Sequence, residues 1–150
     1  MSVLYQMGAL QFTVAPINAD KVAHKLKTDF ARKAVFGGRK PSEHTGEGDE
    51  TIEFSGKVFP SHLGGEPEMD LMNEMRRAGV PHFLMRGDGR PMGWFEIDEL
   101  DFNHTHLQSK GVGRVIEIRM TCTRVDAPSA VDFAPWLRQL VGLFSGLING

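Results

Sequence analysis

Val115-Ile116-Glu117-Ile118-Arg119-Met120-Thr121-Cys122-Thr123-Arg124-Val125 alternates apolar and polar side chains along almost its whole length. A period of two puts Ile116, Ile118, Met120 and Cys122 on one side of an extended strand and Glu117, Arg119, Thr121 and Thr123 on the other. One face is core and the other is wet, as in an antiparallel sheet covered on one side only. Cys122 falls in the buried set and reads as a small packed hydrophobe, not as a nucleophile.

Working outward from that strand, the same rule finds others. Residues 83–86 and 93–102 flank Gly87-Asp88-Gly89 and read as a hairpin, because Asp-Gly supplies the positive backbone angle a tight turn needs. Arg86-Gly87-Asp88 is therefore a turn and not an adhesion signal. Residues 51–59 alternate with Ile52, Phe54 and Val58 on the apolar side, Gly56 as a bulge or close-approach point, and Pro60 as the stop. Leu10, Phe12 and Val14 alternate with Gln11 and Thr13 and make the first predicted strand.

Two patterns compete between Asn18 and Phe36: Val22, Leu26 and Phe30 fit a helix, whereas Leu26, Thr28, Phe30, Ala34 and Phe36 fit a strand. The reading favours a strand from about Lys27. Residues 37–50 are polar, aperiodic and rich in turn formers, and are expected to form a long exposed loop or hairpin. A helix over residues 66–78 is marked by Pro67 in its first turn, by Glu66, Glu68 and Asp70 near its positive end, and by Gly79 just past Arg76 and Arg77. Met69, Met72 and Met75, with Leu71 and Ala78 alongside, give it one face to dock on a sheet.

Residues 127–150 differ in kind. Asp132 can cap a helix that tolerates Pro135 in its first turn, after which Phe133, Trp136, Leu137, Leu140, Val141, Phe144, Leu147 and Ile148 recur at helical spacing. Its three aromatics carry roughly 450 Å² of apolar surface at about 150 Å² each. A monomer seldom leaves that much greasy surface in water, so the helix is expected to fold back on its own sheet or to dock on a neighbour.

The bulk composition bounds the function. A chain of 150 residues with 41% hydrophobic and 24% charged residues is long enough for one core that needs no staple. A single cysteine rules out an internal disulfide and multi-cysteine zinc sites, and fits a reducing compartment. The first ten residues lack the basic start and apolar run of a secretory signal, and no apolar run is long enough to cross a bilayer, so a cytosolic, membrane-free protein is expected. A net charge of −2 gives no electrostatic reason to expect tight binding to nucleic acid.

Signatures of chemistry are sparse. His104 and His106, near Asp98 and Asp101, point the same way on a strand and offer a weak candidate for zinc, without the helical His-Glu pattern that would strengthen it. Residues 46–50 lack the ligand spacing of a calcium loop and read better as a turn. No phosphate-binding, nucleophile-elbow or dinucleotide-binding glycine motif occurs. No catalytic residue, metal or cofactor is expected, and the rival classes are a small enzyme using the two histidines or a monomeric binding module.

The order and spacing of the punctuating segments is more specific than any one of them. Met7-Gly8-Ala9-Leu10-Gln11-Phe12, Gly38-Arg39-Lys40-Pro41, residues 46–52, Ser55-Gly56, Phe59-Pro60, Gly79-Val80-Pro81, Gly87-Asp88-Gly89, residues 93–97, Leu100, Ile116-Glu117-Ile118 and Arg124-Val125-Asp126 together resemble the tail protein U (GpU) family of Peduovirus-type contractile-tailed phages. The likeness extends over about 120 residues. It departs from the pattern at Phe30, where the family strand is usually Trp-rich, at Gly113-Arg114-Val115, which replaces a Pro-Arg-Lys, and after Asp126, where no counterpart is evident.

The resemblance implies an α+β, mostly β fold: a small tail-tube-like β-barrel or sandwich over residues 1–126, with one internal helix, followed by a C-terminal amphipathic helical extension over 127–150. It implies a virion structural protein of the contractile tail of a phage or of a phage-derived particle, assembled in the bacterial host cytoplasm. Such a protein forms a ring, with six copies as the family expectation, at the baseplate end of the tube as an adaptor between hub and first disc, or alternatively at the neck end as a terminator. Expected partners are further copies of itself, the tail tube protein, baseplate hub or neck proteins and the tape measure protein, with DNA only as cargo passing through the lumen. Candidate interface residues are Phe133, Trp136, Leu137, Leu140, Val141 and Phe144 on the helix and Arg39, Lys40, Glu47 and Asp49 on the loop; Glu117 is a candidate for the lumen wall.

Overall fold

In the computed structural model, which describes residues 3–13, 17–61 and 64–128, the order of elements is β1 (Val3–Met7), β2 (Leu10–Thr13), β3 (Ile17–Arg32), β4 (Ser42–Val58), α1 (Glu66–Ala78), β5 (His82–Arg86), β6 (Pro91–Leu107) and β7 (Gly113–Val125). The strands form one antiparallel sheet in the order β2-β1-β5-β6-β7-β4-β3. The sheet curls until its edge strands β2 and β3 approach each other. This is a half-barrel. Of the two forms expected, the barrel-like one is right, and there is no second sheet among the described residues to make a sandwich.

The alternation in β7 holds: Ile116, Ile118, Met120 and Cys122 are all buried on the concave side. They meet Ile52, Phe54 and Val58 from β4, Phe95 and Ile97 from β6, and Met7, Leu10 and Phe12 from the first hairpin. Helix α1 lies against β6 and β2 and closes the open side of the curl with Met69, Met72 and Met75. Its bounds are those expected, and Gly79 adopts a left-handed φ of 66° at its end. Ala78 is exposed, so the docked stripe ends at Met75. Gly65 starts the helix at a φ of 113°, and a Cβ there would stand 2.6 Å from Val58 Cγ1. A glycine is needed there for both angle and space.

The hairpin at Gly87-Asp88-Gly89 is confirmed, and its geometry recurs. In each of the β5–β6 and β6–β7 turns a glycine with positive φ, Gly89 (87°) or Gly111 (80°), donates to the carbonyl three residues earlier. A turn closed by a left-handed glycine matches the twist of the flanking strands.

Three readings are corrected, and the open choice over 37–50 is decided. β1 was not expected; five residues with little alternation become a strand because they pair on both sides, with β2 and β5. β3 begins at Ile17 and not at about Lys27, since its first half pairs with β4 opposite the core. Of the exposed loop or hairpin expected over 37–50, the hairpin is right: β4 starts at Ser42, and residues 42–50 pair with β3. Their polar, aperiodic sequence reflects a ribbon wet on both faces, where no side chain has to alternate. Gly56 is not a bulge on β4, which keeps regular register with β7; the slip lies opposite, where Asp20 is the extra residue on β3. Val14 and the C-terminal helix lie outside the described residues.

Candidate subunit interface

β4 pairs with β7 only from Thr51 to Val58, yet it continues to pair with β3 as far as Ser42. Residues 26–50 therefore leave the body as a two-stranded arm, with no third strand among the described residues. Two further slips on the return strand, beside Gly48 and at Thr45, bend it. A Cβ on Gly48 would come within 3.0 Å of the Lys27 carbonyl, so the sharper approach of the two strands depends on that glycine.

Residues 23–45 are all exposed. A ribbon of this kind is marginal by itself in water. It nevertheless carries large apolar side chains: Leu26, Phe30, Val35 and Phe36 are exposed, Phe36 completely. Phe30 is met edge-on by His44 at 5.6 Å and by the Arg32 guanidinium at the same distance. From Phe30 to Ser42 the arm's tip holds Arg32, Lys33, Arg39 and Lys40 and no carboxylate. Arg39 and Lys40, expected at an exposed turn, sit in the connection between the strands; Glu47 and Asp49 are exposed on the return strand.

At the root of the arm Glu50 is 8% exposed and ties three strands together. Arg124 on β7 donates from Nη1 to Glu50 Oε2 at 2.7 Å, and His24 on β3 donates from Nε2 to Oε1 at 2.7 Å. Burial pushes the Glu50 carboxyl up, but the hydrogen bonds and charges of Arg124 and His24 together outweigh it and hold the group below its ordinary value of 4.5. A groove of about 590 Å³ opens beside this tie, lined by Leu26, Glu47, Gly48, Glu50, Arg124, Val125 and Asp126.

The convex face of the sheet is the second surface. Register places Glu96, Glu99 and Asp101 of β6 beside Thr123, Thr121 and Arg119 of β7, with Glu53 of β4 beyond Thr121. Asp98, the extra residue of a β6 bulge, accepts a hydrogen bond from Thr123 Oγ1 on the same face. Arg119 reaches Glu53 at 3.6 Å. Glu117 is exposed on this face, next to Asn103 and Lys57. At the upper end Phe83 and Trp94, both half-buried, meet edge to face at 5.5 Å.

Of the residues weighed for chemistry, His104 and Asp98 have structural partners and Cys122 is packed in the core. His104 Nδ1 accepts the Gly113 N–H at 3.2 Å, and Asp98 is engaged with Thr123. Cys122 is fully buried; burial, with the charge of Asp98, pushes its thiol up to about 12. Among the described residues no three His, Cys, Asp or Glu side chains are grouped to hold a metal ion. Also among them, no helix is long and apolar enough to cross a membrane. The tie at Glu50 was missed by sequence reasoning, because its partners lie 26 and 74 positions away. Phe133, Trp136, Leu137, Leu140, Val141 and Phe144 lie outside the described residues.

Comparison with known proteins supplies the remaining constraint. The family model described as Phage P2 GpU matches residues 8–127. No curated protein matches the sequence. Among solved structures, the fold is similar to that of SPP1 Dit, described as a paradigm of the hub adsorption apparatus in phages infecting Gram-positive hosts, with a TM-score of 0.59 at 8% identity over 84% of this chain. The chain spans about half (51%) of the length of that protein. It is also similar to a chain in the tail of an empty gene transfer agent particle refined with C6 symmetry, with a TM-score of 0.50 at 14% identity, covering 85% of this chain and 93% of that one. A chain in the virion of the native gene transfer agent particle matches equally well over 92% of its length. At these identities the likeness is one of fold.

Proposed function

The chain belongs to the Phage P2 GpU family, and from that premise we propose that it is a non-enzymatic structural subunit of a phage tail that works by closing into a ring. The observation that carries this reading is the arm: a bent ribbon with exposed Leu26, Phe30, Val35 and Phe36 that one copy leaves uncovered. A patch on one copy that meets a different patch on the next closes a ring when the rotation per step divides a full turn. Six copies is the reading supported by the C6 tail whose subunit shares the fold.

The ring belongs to a contractile tail and sits at the baseplate end, as an adaptor between hub and first tube disc; the fold shared with a hub protein supports this end over the neck. Its partners there are the tail tube, hub and tape measure proteins, and DNA passes through the lumen without specific contact. The chain is assembled in the host cytoplasm and resides in the virion tail. In this reading residues 1–126 form the body, and residues 127–150 are a helical extension that buries Phe133, Trp136, Leu137, Leu140, Val141 and Phe144 against the neighbouring copy. Arg39 and Lys40 at the arm's tip, and Glu47 and Asp49 along it, contact other subunits.

Mass photometry of the concentrated full chain tests the ring: a species of several subunits is expected, and persistence as a single subunit at every concentration overturns it. Replacing Trp136 and Phe144 together by Ala is expected to disperse the rings while circular dichroism of the body stays unchanged. Native-sized rings from that double variant would remove the helix from the interface.

A further inference from the structure

We propose that the tip of the arm of one copy seats in the groove at the root of the next copy's arm, with Phe36 over Leu26 and Val125 and with Arg39 and Lys40 against Glu47 and Asp126. The proposal rests on the ring reading above and names its contact surfaces.

The groove is acidic with a greasy floor. Its lining has three carboxylates, Glu47, Glu50 and Asp126, against one guanidinium, Arg124. Arg124 and His24 are both engaged by Glu50, each at 2.7 Å. Among the described residues no ion pair reaches Glu47 or Asp126. After Glu50, both lie near enough to the Arg124 guanidinium to favour its charged form, which gathers the three acids around one place. Beside them stand Leu26, 64% exposed, and the half-buried Val125. A volume of about 590 Å³ falls within the roughly 300–1,000 Å³ of clefts that take up organic groups, so an aromatic side chain has room there.

The tip is the complement of that groove. It has four cations and no carboxylate, and among the described residues no ion pair engages Arg32, Lys33, Arg39 or Lys40. Phe36 stands fully in water beside Val35. An apolar centre with a charged rim on each side is the anatomy of a specific protein interface. An overall charge of −2 hides this segregation, which is what steers a heterologous contact into one orientation. Residues 129–150 match the groove less well, since Asp132 and Arg138 are their only charged side chains and bring no net positive charge. Phosphates would satisfy the tip's cations but leave Phe36 uncovered, so a second copy fits the tip better than a nucleic acid does.

The arm itself keeps the contact between copies. β3 runs from Leu26 at the groove to Arg32 at the tip, roughly 20 Å at about 3.3 Å per residue. Pairing with β4 holds that length extended, so a tip does not reach the groove of its own chain. One tip and one groove on each copy, set apart in this way, make a head-to-tail contact of the kind that closes a ring.

A charge-exchange experiment on the full chain tests the proposal. Arg39→Glu with Lys40→Glu is expected to leave the fold intact, since both residues are exposed, and to raise the concentration needed for assembly on the order of 100-fold or more, because like charges then face each other. Glu47→Lys with Asp126→Lys, also at exposed positions, is expected to do the same. Glu47→Gln with Asp126→Asn removes the attraction without adding repulsion and is expected to raise that concentration less. Mixing the two charge-reversed variants in equal amounts is expected to restore assembly in alternating rings, as each altered tip then meets an altered groove. Assembly of either charge-reversed variant at the wild-type concentration overturns the seating while leaving the ring reading intact. So does failure of the mixture to rescue when both variants keep the wild-type melting transition, or loss of duplex-DNA binding by the tip variant with unchanged rings. A wild-type chain that stays a single subunit overturns the ring reading itself, and the seating with it.

Discussion

The rings of Phe12 and Phe54 lie parallel, with 5° between their planes and 4.5 Å between their centroids. Phe12 is on edge strand β2, and Phe54 is on β4, five strands away in the sheet order. In a flat sheet such strands would be roughly 24 Å apart, at about 4.8 Å per strand. The stack is therefore the point at which the sheet's curl becomes a closed contact, with Tyr5 set edge-on to Phe54 at 5.2 Å.

Phe54→Ala is expected to lower the unfolding free energy by about 3–5 kcal/mol, because it removes a buried ring from the middle of three and leaves a cavity the curl cannot fill. Urea denaturation checks this. A loss below about 1 kcal/mol would mean that the stack does not hold the sheet's ends together.

Acid should weaken the fold in two stages. Burial lowers the pKa of His82 from its ordinary 6.5, only partly opposed by a hydrogen bond to the Met75 backbone. The unfolded chain then takes a proton that the folded one refuses, so stability declines as the pH drops below about 6.5. Glu50 is also held below its unfolded value, so its contribution is present above pH 4.5 and is lost as the pH falls through the folded pKa. Unfolding free energies measured from pH 8 to pH 3 should show both declines, and Glu50→Gln should flatten the lower one. An unchanged acid limb in that variant would contradict the assignment.

Cys122 should be inert in the native protein at pH 8, since a thiol pushed up to about 12 has almost no thiolate and the side chain is fully buried. A disulfide-exchange reagent is expected to label it only in denaturant. Rapid native labelling would show that β7 opens locally.

Gly87 and Gly89 should differ in what an added methyl does. A Cβ on Gly87 would stand 2.0 Å from the Val3 carbonyl oxygen, in the stretch where Gly87 N–H also donates to Leu4 O at 2.8 Å. Gly87→Ala is expected to cost on the order of 3 kcal/mol and to loosen β1. Gly89 has open space but a φ of 87°, so Gly89→Ala should cost only about 1–2 kcal/mol of backbone strain. Equal Tm losses in the two variants would contradict this difference.

By itself the sequence determined whatever depends on neighbours along the chain. The two-residue period of β7, the methionine stripe and glycine stop of α1, and the turn at Gly87-Asp88-Gly89 were all legible, because each is set by side-chain alternation or by a backbone angle only glycine takes easily. The exposure of Arg39 and Lys40 was legible for the same reason. Only the tertiary structure decided that β1 is a strand, that β3 starts at Ile17, and that residues 42–50 belong to an arm and not to a loop. It alone brought Glu50 to Arg124 and His24, and Phe12 to Phe54. Each of these depends on hydrogen bonds or burial supplied by segments remote in sequence, and a ribbon wet on both faces carries no apolar period to announce itself.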